Sequence, residues 1–348
     1  MKSAVLLLLP AVAAMAQVGG RPALVLEGKT AAVAVDLSGG SIVGFRFRDL
    51  DLNPLVWNDR DAGTAPRAMG HFLCLDRWGA PSEAERRNGM PYHGEAAQVV
   101  WKVGERKGRV ATMSADLPMA GLLVERRIEI AESAAVFTVT ETVTNRKPLG
   151  RVYNMVQHPS IGPPFLDEET VVDSNGRRGF MQSTPGPNPE EPSVYWPQAL
   201  KDGQPVNLRY LRDDPMPNVV SYVIEDEDGW VTAVNPKRGL LIGYVWKRDE
   251  YPWLNLWRHV ENGRPLARGL EFGTTGLHQP YPILVRKGHI FGAPLVSFLD
   301  AGERTTRSYI AFLAKVPGGY KGVASVRRTP GGIEIEERGP DPRRITIK

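Results

Sequence analysis

The stretch Val136-Phe137-Thr138-Val139-Thr140-Glu141-Thr142-Val143 decides the fold class. Its side chains alternate with the period of two that a half-buried strand requires, and Val, Thr and Phe suit a pleated surface. Just upstream, Val124-Glu125-Arg126-Arg127-Ile128-Glu129-Ile130 alternates in the same way. Nearer the N-terminus, Ala31 to Leu37 and Ser41 to Arg48 flank a Gly39-Gly40 turn, which reads as a hairpin. Asn218 to Ile224, Trp230 to Val234, Leu240 to Trp246, Arg307 to Ala314 and Ile333 to Glu337 are further strands. Turns separate them at Asp226-Glu227-Asp228-Gly229, Asn235-Pro236, Pro317-Gly318-Gly319 and Thr329-Pro330-Gly331-Gly332. Amphipathic helices are missing, apart from one turn over Pro81 to Arg87. Many short strands with regular turns predict an all-β chain, a large antiparallel β-sandwich.

Domain organisation follows from the ends and the loops. Lys2 precedes an apolar run from Ala4 to Ala14, and Ala14-Met15-Ala16 offers small residues for cleavage before Gln17. Residues 1–16 therefore read as an export signal, too short for a membrane span, and the expected location is secreted or periplasmic. Residues 17–348 read as one sandwich domain whose last 25 or so residues form a terminal hairpin. Two Pro-, Gly- and acid-rich stretches, Phe165 to Pro197 and Asp202 to Pro217, read as long loops of the kind that rim or cover a site.

Composition excludes several functions. Hydrophobic residues at 42% and charged residues at 24% fit a packed globular chain rather than a disordered one. The formal charge is +4, and removing residues 1–16, whose only charge is Lys2, leaves +3. Those charges are interspersed, so no nucleic-acid footprint is present. The single cysteine, Cys74, allows no internal disulfide and sits in an apolar run as a small buried hydrophobe.

Chemistry concentrates in four segments. Gly70-His71-Phe72-Leu73-Cys74-Leu75-Asp76-Arg77-Trp78-Gly79 leads to Tyr92-His93-Gly94 and Trp101. Asn145 leads along a strand to His158-Pro159-Ser160. Tyr251-Pro252-Trp253-Leu254-Asn255-Leu256-Trp257-Arg258-His259 is rich in aromatics. Gly269-Leu270-Glu271-Phe272-Gly273 places one acid among apolar residues and glycines. His278 and His289 read as structural.

The first segment resembles that of glucose-6-phosphate 1-epimerases, which runs from a Gly-Gly-Ile-Pro-x-Cys start through an aromatic-Gly to His-Gly-Phe-Ala-Arg and a Trp. Cys74, Trp78-Gly79, His93-Gly94 and Trp101 match it. Val143-Thr144-Asn145 through His158 resembles the turn and strand that carry the catalytic His across the aldose 1-epimerase superfamily. The order of His93, His158 and Glu271 agrees with that superfamily over about residues 30–315. The resemblance implies a galactose mutarotase-like sandwich that interconverts sugar anomers. It makes Glu271 the base at the anomeric hydroxyl and His158 the acid at the ring oxygen, with His93 on a ring or C1 oxygen. Arg77 with Asp76, and Arg258, would hold hydroxyls, and Trp253 and Trp257 would offer flat faces for the ring.

The departures narrow the substrate. The family's Arg after His-Gly is Ala97 here, and Arg67 is one residue out of register with another. A phosphorylated sugar wants such guanidinium donors, so an unphosphorylated sugar or glycan is the expected partner. No motif asks for a cofactor. A metal would need His71, Asp76, His93 and His158 to converge, and no short-spaced His/Cys pattern supports zinc. Two rival functions remain: a binding module without catalysis on the same fold, and a glycan hydrolase or lyase pairing Glu271 with a second acid such as Glu95.

Overall fold

The computed structural model describes residues 16–58, 63–182, 193–211 and 214–348. All but one residue of the expected export signal lies outside them. Among the described residues the chain forms a galactose mutarotase-like β-sandwich of two large antiparallel sheets. The first has 12 strands. Its centre runs in the order His71–Asp76, Arg151–Ile161, Arg264–Gly273, Trp253–Glu261, Val219–Ile224 and Gly176–Met181. The second has 8 strands. Its centre runs Asp228–Asn235, Leu240–Lys247, Arg304–Lys315, Val136–Asn145 and Leu122–Ile130.

The alternation read in Val136–Asn145 is what the fold uses: every second side chain is buried. Phe137 from this strand meets Phe45 of the first sheet edge to face, with ring centroids 4.7 Å apart. Trp246 and Phe272 stack across the sandwich at 4.2 Å. No helix among the described residues is long and apolar enough to cross a membrane.

The central strands of the first sheet are buried on both faces, so their alternation fails in the sequence yet still sorts side chains by parity. Tyr153, Met155 and Ile161 face the main core, while Val156 joins Phe72, Cys74 and Trp78 in a separate cluster on the other face. Leu270 and Phe272 face the core as well, which turns Glu271 outward with His158. The outer face carries the chemistry.

The sequence reading needs three corrections. The stretch expected as a loop from 165 to 197 contains the strands Val171–Ser174 and Gly176–Met181, one in each sheet; residues 183–192 lie outside the described residues. Glycines and polar residues at this crossing hide the strand period. The second expected loop carries Gln204–Asn207, paired with Gln198–Lys201. The terminal hairpin is a three-stranded sheet, Val323–Thr329, Gly332–Glu337 and Arg344–Ile347. It packs Val326, Ile333 and Ile335 on the outer side of the second sheet. Buried Asp173 anchors it by accepting from Val323 N at 2.8 Å and Arg338 Nε at 2.7 Å.

One turn that shapes the site can be tested directly. Gly94 has φ +77°, and an added Cβ would lie 2.0 Å from the Leu75 carbonyl oxygen. Gly94→Ala should cost about 2 kcal/mol or more, from left-handed strain plus a main-chain clash. Denaturant unfolding would read it as a lowered midpoint with unchanged slope. A variant as stable as wild type would show that the turn relaxes freely.

Candidate active site

Strand register brings the acid and the imidazole together. Gln157 lies opposite Phe272 and Ser160 opposite Gly269, which makes His158 and Glu271 cross-strand neighbours. Their side chains meet with His158 Nε2 3.1 Å from Glu271 Oε1. Trp78 Nε1 donates to the other carboxyl oxygen at 2.7 Å. Phe72, opposite His158 on the neighbouring strand, stacks on the imidazole at 4.1 Å.

The second ring nitrogen of His158, Nδ1, meets Ser160 Oγ at 2.9 Å, and that hydroxyl also lies 3.4 Å from the His158 carbonyl. A neutral His158 with its proton on Nδ1 presents Nε2 as the acceptor for a protonated Glu271. Burial favours this state. It pushes the Glu271 carboxyl well above the usual carboxylate range, against the opposing pull of the Trp78 donor. Burial also brings His158 down to about 3. Both shifts favour the neutral forms, with one proton held between the two groups.

The pair floors a cleft of about 440 Å³. His93 lines it, with φ +63° in the turn before Gly94. His93 Nδ1 accepts from Gly79 N at 3.0 Å, which leaves Nε2 protonated as a donor. Burial, then the charges of His158 and His278, lower His93 well below its ordinary range. His278 Nε2 meets Tyr92 Oη at 3.0 Å, and burial lowers this imidazole to about 4. Trp57 and Trp257 meet edge to face at 5.6 Å and form an aromatic wall. Gln182, Asn218 and Gln279 add neutral hydrogen-bonding groups. Glu271 is the only acid among the described lining residues, and none of them is Arg or Lys.

Four expected site residues are not lining residues of this cleft. Asp76 is fully buried and accepts from Arg77 Nε at 2.9 Å, with its other oxygen taken by Arg151. Arg77 also bonds Glu85 at 2.9 Å, so both partners of the expected hydroxyl anchor are spent on a structural ion network. Arg258 donates to the carbonyls of Met216 and Asp214, at 3.2 and 3.1 Å. Trp253 is buried among Phe180, Leu277 and Leu284 and donates to the Pro294 carbonyl at 2.7 Å. His158, Glu271, His93 and Trp257 stand in the cleft as the sequence suggests. His71 faces the core and bonds Gln157 at 3.1 Å, so the four residues that a metal would need do not converge. Glu95 accepts from Met119 N and Ala120 N, at 3.2 and 2.7 Å.

His278 corrects the sequence reading: it is a cleft residue. It lies just past the strand Arg264–Gly273 in a segment without period, so only three-dimensional contact with Tyr92 reveals it. Trp78 is legible as part of a motif, but not as the donor to Glu271.

The fold has solved counterparts. A Lactobacillus acidophilus structure described as a galactose mutarotase related enzyme matches with a TM-score of 0.65 at 12% identity, covering 85% of this chain and 98% of that one. An Escherichia coli K12 protein with a provisional aldose 1-epimerase assignment gives 0.62 at 15%, over 84% and 99%. A galactose mutarotase-like protein from Lactobacillus casei gives 0.61 at 15%, over 84% and 100%. These likenesses establish the fold alone. No curated protein sequence matches the chain. Residues 73–281, more than half of the chain, match the family model described as a domain of unknown function, DUF4432, and the chain belongs to that family.

Proposed function

We propose that the protein is an exported aldose 1-epimerase-like enzyme, interconverting the anomers of an unphosphorylated sugar by acid/base ring opening. The observation that carries this reading is the hydrogen-bonded His158–Glu271 pair at the floor of an aromatic-walled cleft. Proton transfer across the 3.1 Å contact converts the neutral pair to carboxylate and imidazolium. The carboxylate takes the anomeric O1 proton as the imidazolium gives its proton to the ring oxygen. The C1–O5 bond breaks and an open-chain aldehyde forms. Rotation about C1–C2 and the reverse transfers close the other anomer. The pair begins and ends with one proton, so the cycle needs no co-reactant. His93 Nε2–H offers a donor to a ring or C1 oxygen.

Lack of an Arg or Lys among the described lining residues supports an uncharged substrate. A binding-only role on the same cleft is the second reading, favoured because His158 Nε2 and Glu271 Oε1 already satisfy one another. The hydrolase reading loses its second carboxylate, since Glu95 is engaged by main-chain donors.

The test follows freshly dissolved α-anomers of neutral sugars by NMR. Accelerated equilibration establishes the enzyme. Saturable shift changes without acceleration favour the binder, and neither signal removes both. In an active protein, Trp78→Phe should lower kcat/KM roughly tenfold or more at neutral pH, the value of one hydrogen bond to a charged group. Loss of that donor raises the Glu271 pKa further, so the alkaline limb of the pH profile, where the pair loses its proton, should move to higher pH. An unmoved limb would show that the indole does not tune the carboxyl.

A further inference from the structure

His158 is held on three sides by its own sheet. Phe72 stacks on the ring at 4.1 Å, Glu271 Oε1 lies 3.1 Å from Nε2, and Ser160 Oγ lies 2.9 Å from Nδ1. Turning the ring over would set carbon atoms against both oxygens, so the two contacts fix its orientation. Ser160 stands two residues along the same strand, on the same face. It is fully buried and is not a lining residue of the cleft, so it acts on a substrate only through His158. No step of the proposed cycle uses it.

The backbone around Ser160 is built for this contact. Arg151–Ile161 is a central strand, yet it carries Pro159, which has no N–H for a ladder. Its pairing with Arg264–Gly273 runs through Val156 and Gln157, passes over His158 and Pro159, and resumes at Ser160 and Ile161. The interruption falls where His158 and Glu271 meet. Beyond it, Ser160 N donates to the Gly70 carbonyl at 2.8 Å, which holds the hydroxyl in place. Gly269 lies opposite Ser160, and a Cβ there would come within 2.7 Å of Glu271 Oε1. A side chain at that position would push the carboxyl away from the imidazole.

The hydroxyl has one proton and two neighbours. One neighbour is the His158 carbonyl, at 3.4 Å, and a carbonyl only accepts. We infer that Ser160 is a positioning residue: it gives its proton to that carbonyl, takes the Nδ1 proton of His158, and so turns the Nε2 lone pair toward Glu271. The opposite tautomer points Nε2–H at Glu271 and favours an ionised carboxylate there, which burial opposes. When Glu271 passes its proton to Nε2, Nδ1–H stays on Ser160 Oγ, and the imidazolium forms with both N–H groups satisfied. That kinetic role rests on the acid/base reading of the cleft, whereas the tautomer rests on the contacts of His158 alone.

The test is the imidazole nitrogen spectrum of the nitrogen-15-labelled full chain at pH 7. The His158 signals are identified by their absence from His158→Gln. Wild type should show Nδ1 protonated and Nε2 as a bare acceptor. In Ser160→Ala the Nδ1–H loses its acceptor, and the population should move toward the Nε2–H form. Should that variant not fold, Ser160→Cys keeps the size and offers only a weak acceptor, and the same movement is expected. A wild type already in the Nε2–H form, or a tautomer unmoved in the variant that folds, overturns the inference. Anomer interconversion gives a second readout. In an active protein, loss of the hydroxyl should lower kcat roughly tenfold, the value of one hydrogen bond, with KM nearly unchanged. A moved tautomer with full kcat overturns the positioning role. Lack of turnover with every neutral sugar removes the enzyme reading instead, and the nitrogen spectra still decide what Ser160 does to His158.

Discussion

Glu271→Gln is expected to lower the rate of anomer interconversion ~10²–10⁴-fold, the usual contribution of a positioned acid/base group, while leaving the fold in place. The amide keeps the shape and still donates a hydrogen bond to His158 Nε2, but it carries no exchangeable acid proton. Sugar affinity should change little, since Trp257, His93 and the neutral cleft groups are untouched. NMR equilibration of α-anomers gives the rate, and saturable shifts give the affinity. Retained turnover would remove Glu271 from the mechanism. The same variant has a pH signature in stability. A carboxyl raised on folding binds protons more tightly in the native state, so its contribution is present below the unfolded value of ~4.3 and is lost as pH rises through the raised value. Wild type should therefore lose stability on that alkaline side, and Glu271→Gln should not. Denaturant midpoints across pH 4 to 9 would show the two curves diverging, and parallel curves would deny the raised carboxyl.

The fold was legible because its evidence is local. Val136–Asn145 and Leu122–Ile130 belong to a sheet with alternately buried side chains, and alternation is what a single sequence displays best. His158, Glu271 and His93 were legible through motif order and through their odd settings: a lone acid among apolar residues, a histidine at a glycine turn. Asp76, Arg77, Arg258 and Trp253 each sit within a few residues of a cleft residue, and linear proximity tells neither the face of a strand nor what covers it. Arg258 follows Trp257 and so points to the opposite side of the sheet; Trp253 shares the outer face but lies under Pro294. His278 was missed because its neighbour Tyr92 is 186 residues away in sequence.

The largest stability effect should come from the polar layer beneath the cleft floor. Arg126 and Glu141 are both buried, with Arg126 Nε donating to Glu141 Oε1 at 2.7 Å. Gln157 Nε2 donates to the other carboxyl oxygen at 2.6 Å, and His71 bonds the same amide at 3.1 Å. The guanidinium also lies 4.4 Å over the Trp101 ring. Glu141→Ala removes the only carboxylate bonded to Arg126 among the described residues and leaves a cation in the core, which should cost ~3–5 kcal/mol. For a chain of this size that is a fall in Tm on the order of 10 °C. Removing both charges with apolar side chains, Arg126→Met with Glu141→Leu, should recover most of the loss, because neither desolvated charge remains. Chemical unfolding of the two variants and wild type reads the cycle. A Glu141→Ala variant within about 1 kcal/mol of wild type would mean that Arg126 finds another acceptor, below the usual cost of a broken buried pair. Because Gln157 and His71 flank His158 and Phe72 in sequence, the loss should also loosen the floor of the cleft. The double variant should then regain stability without regaining full turnover, since the amide of Gln157 no longer has the carboxylate that orients it.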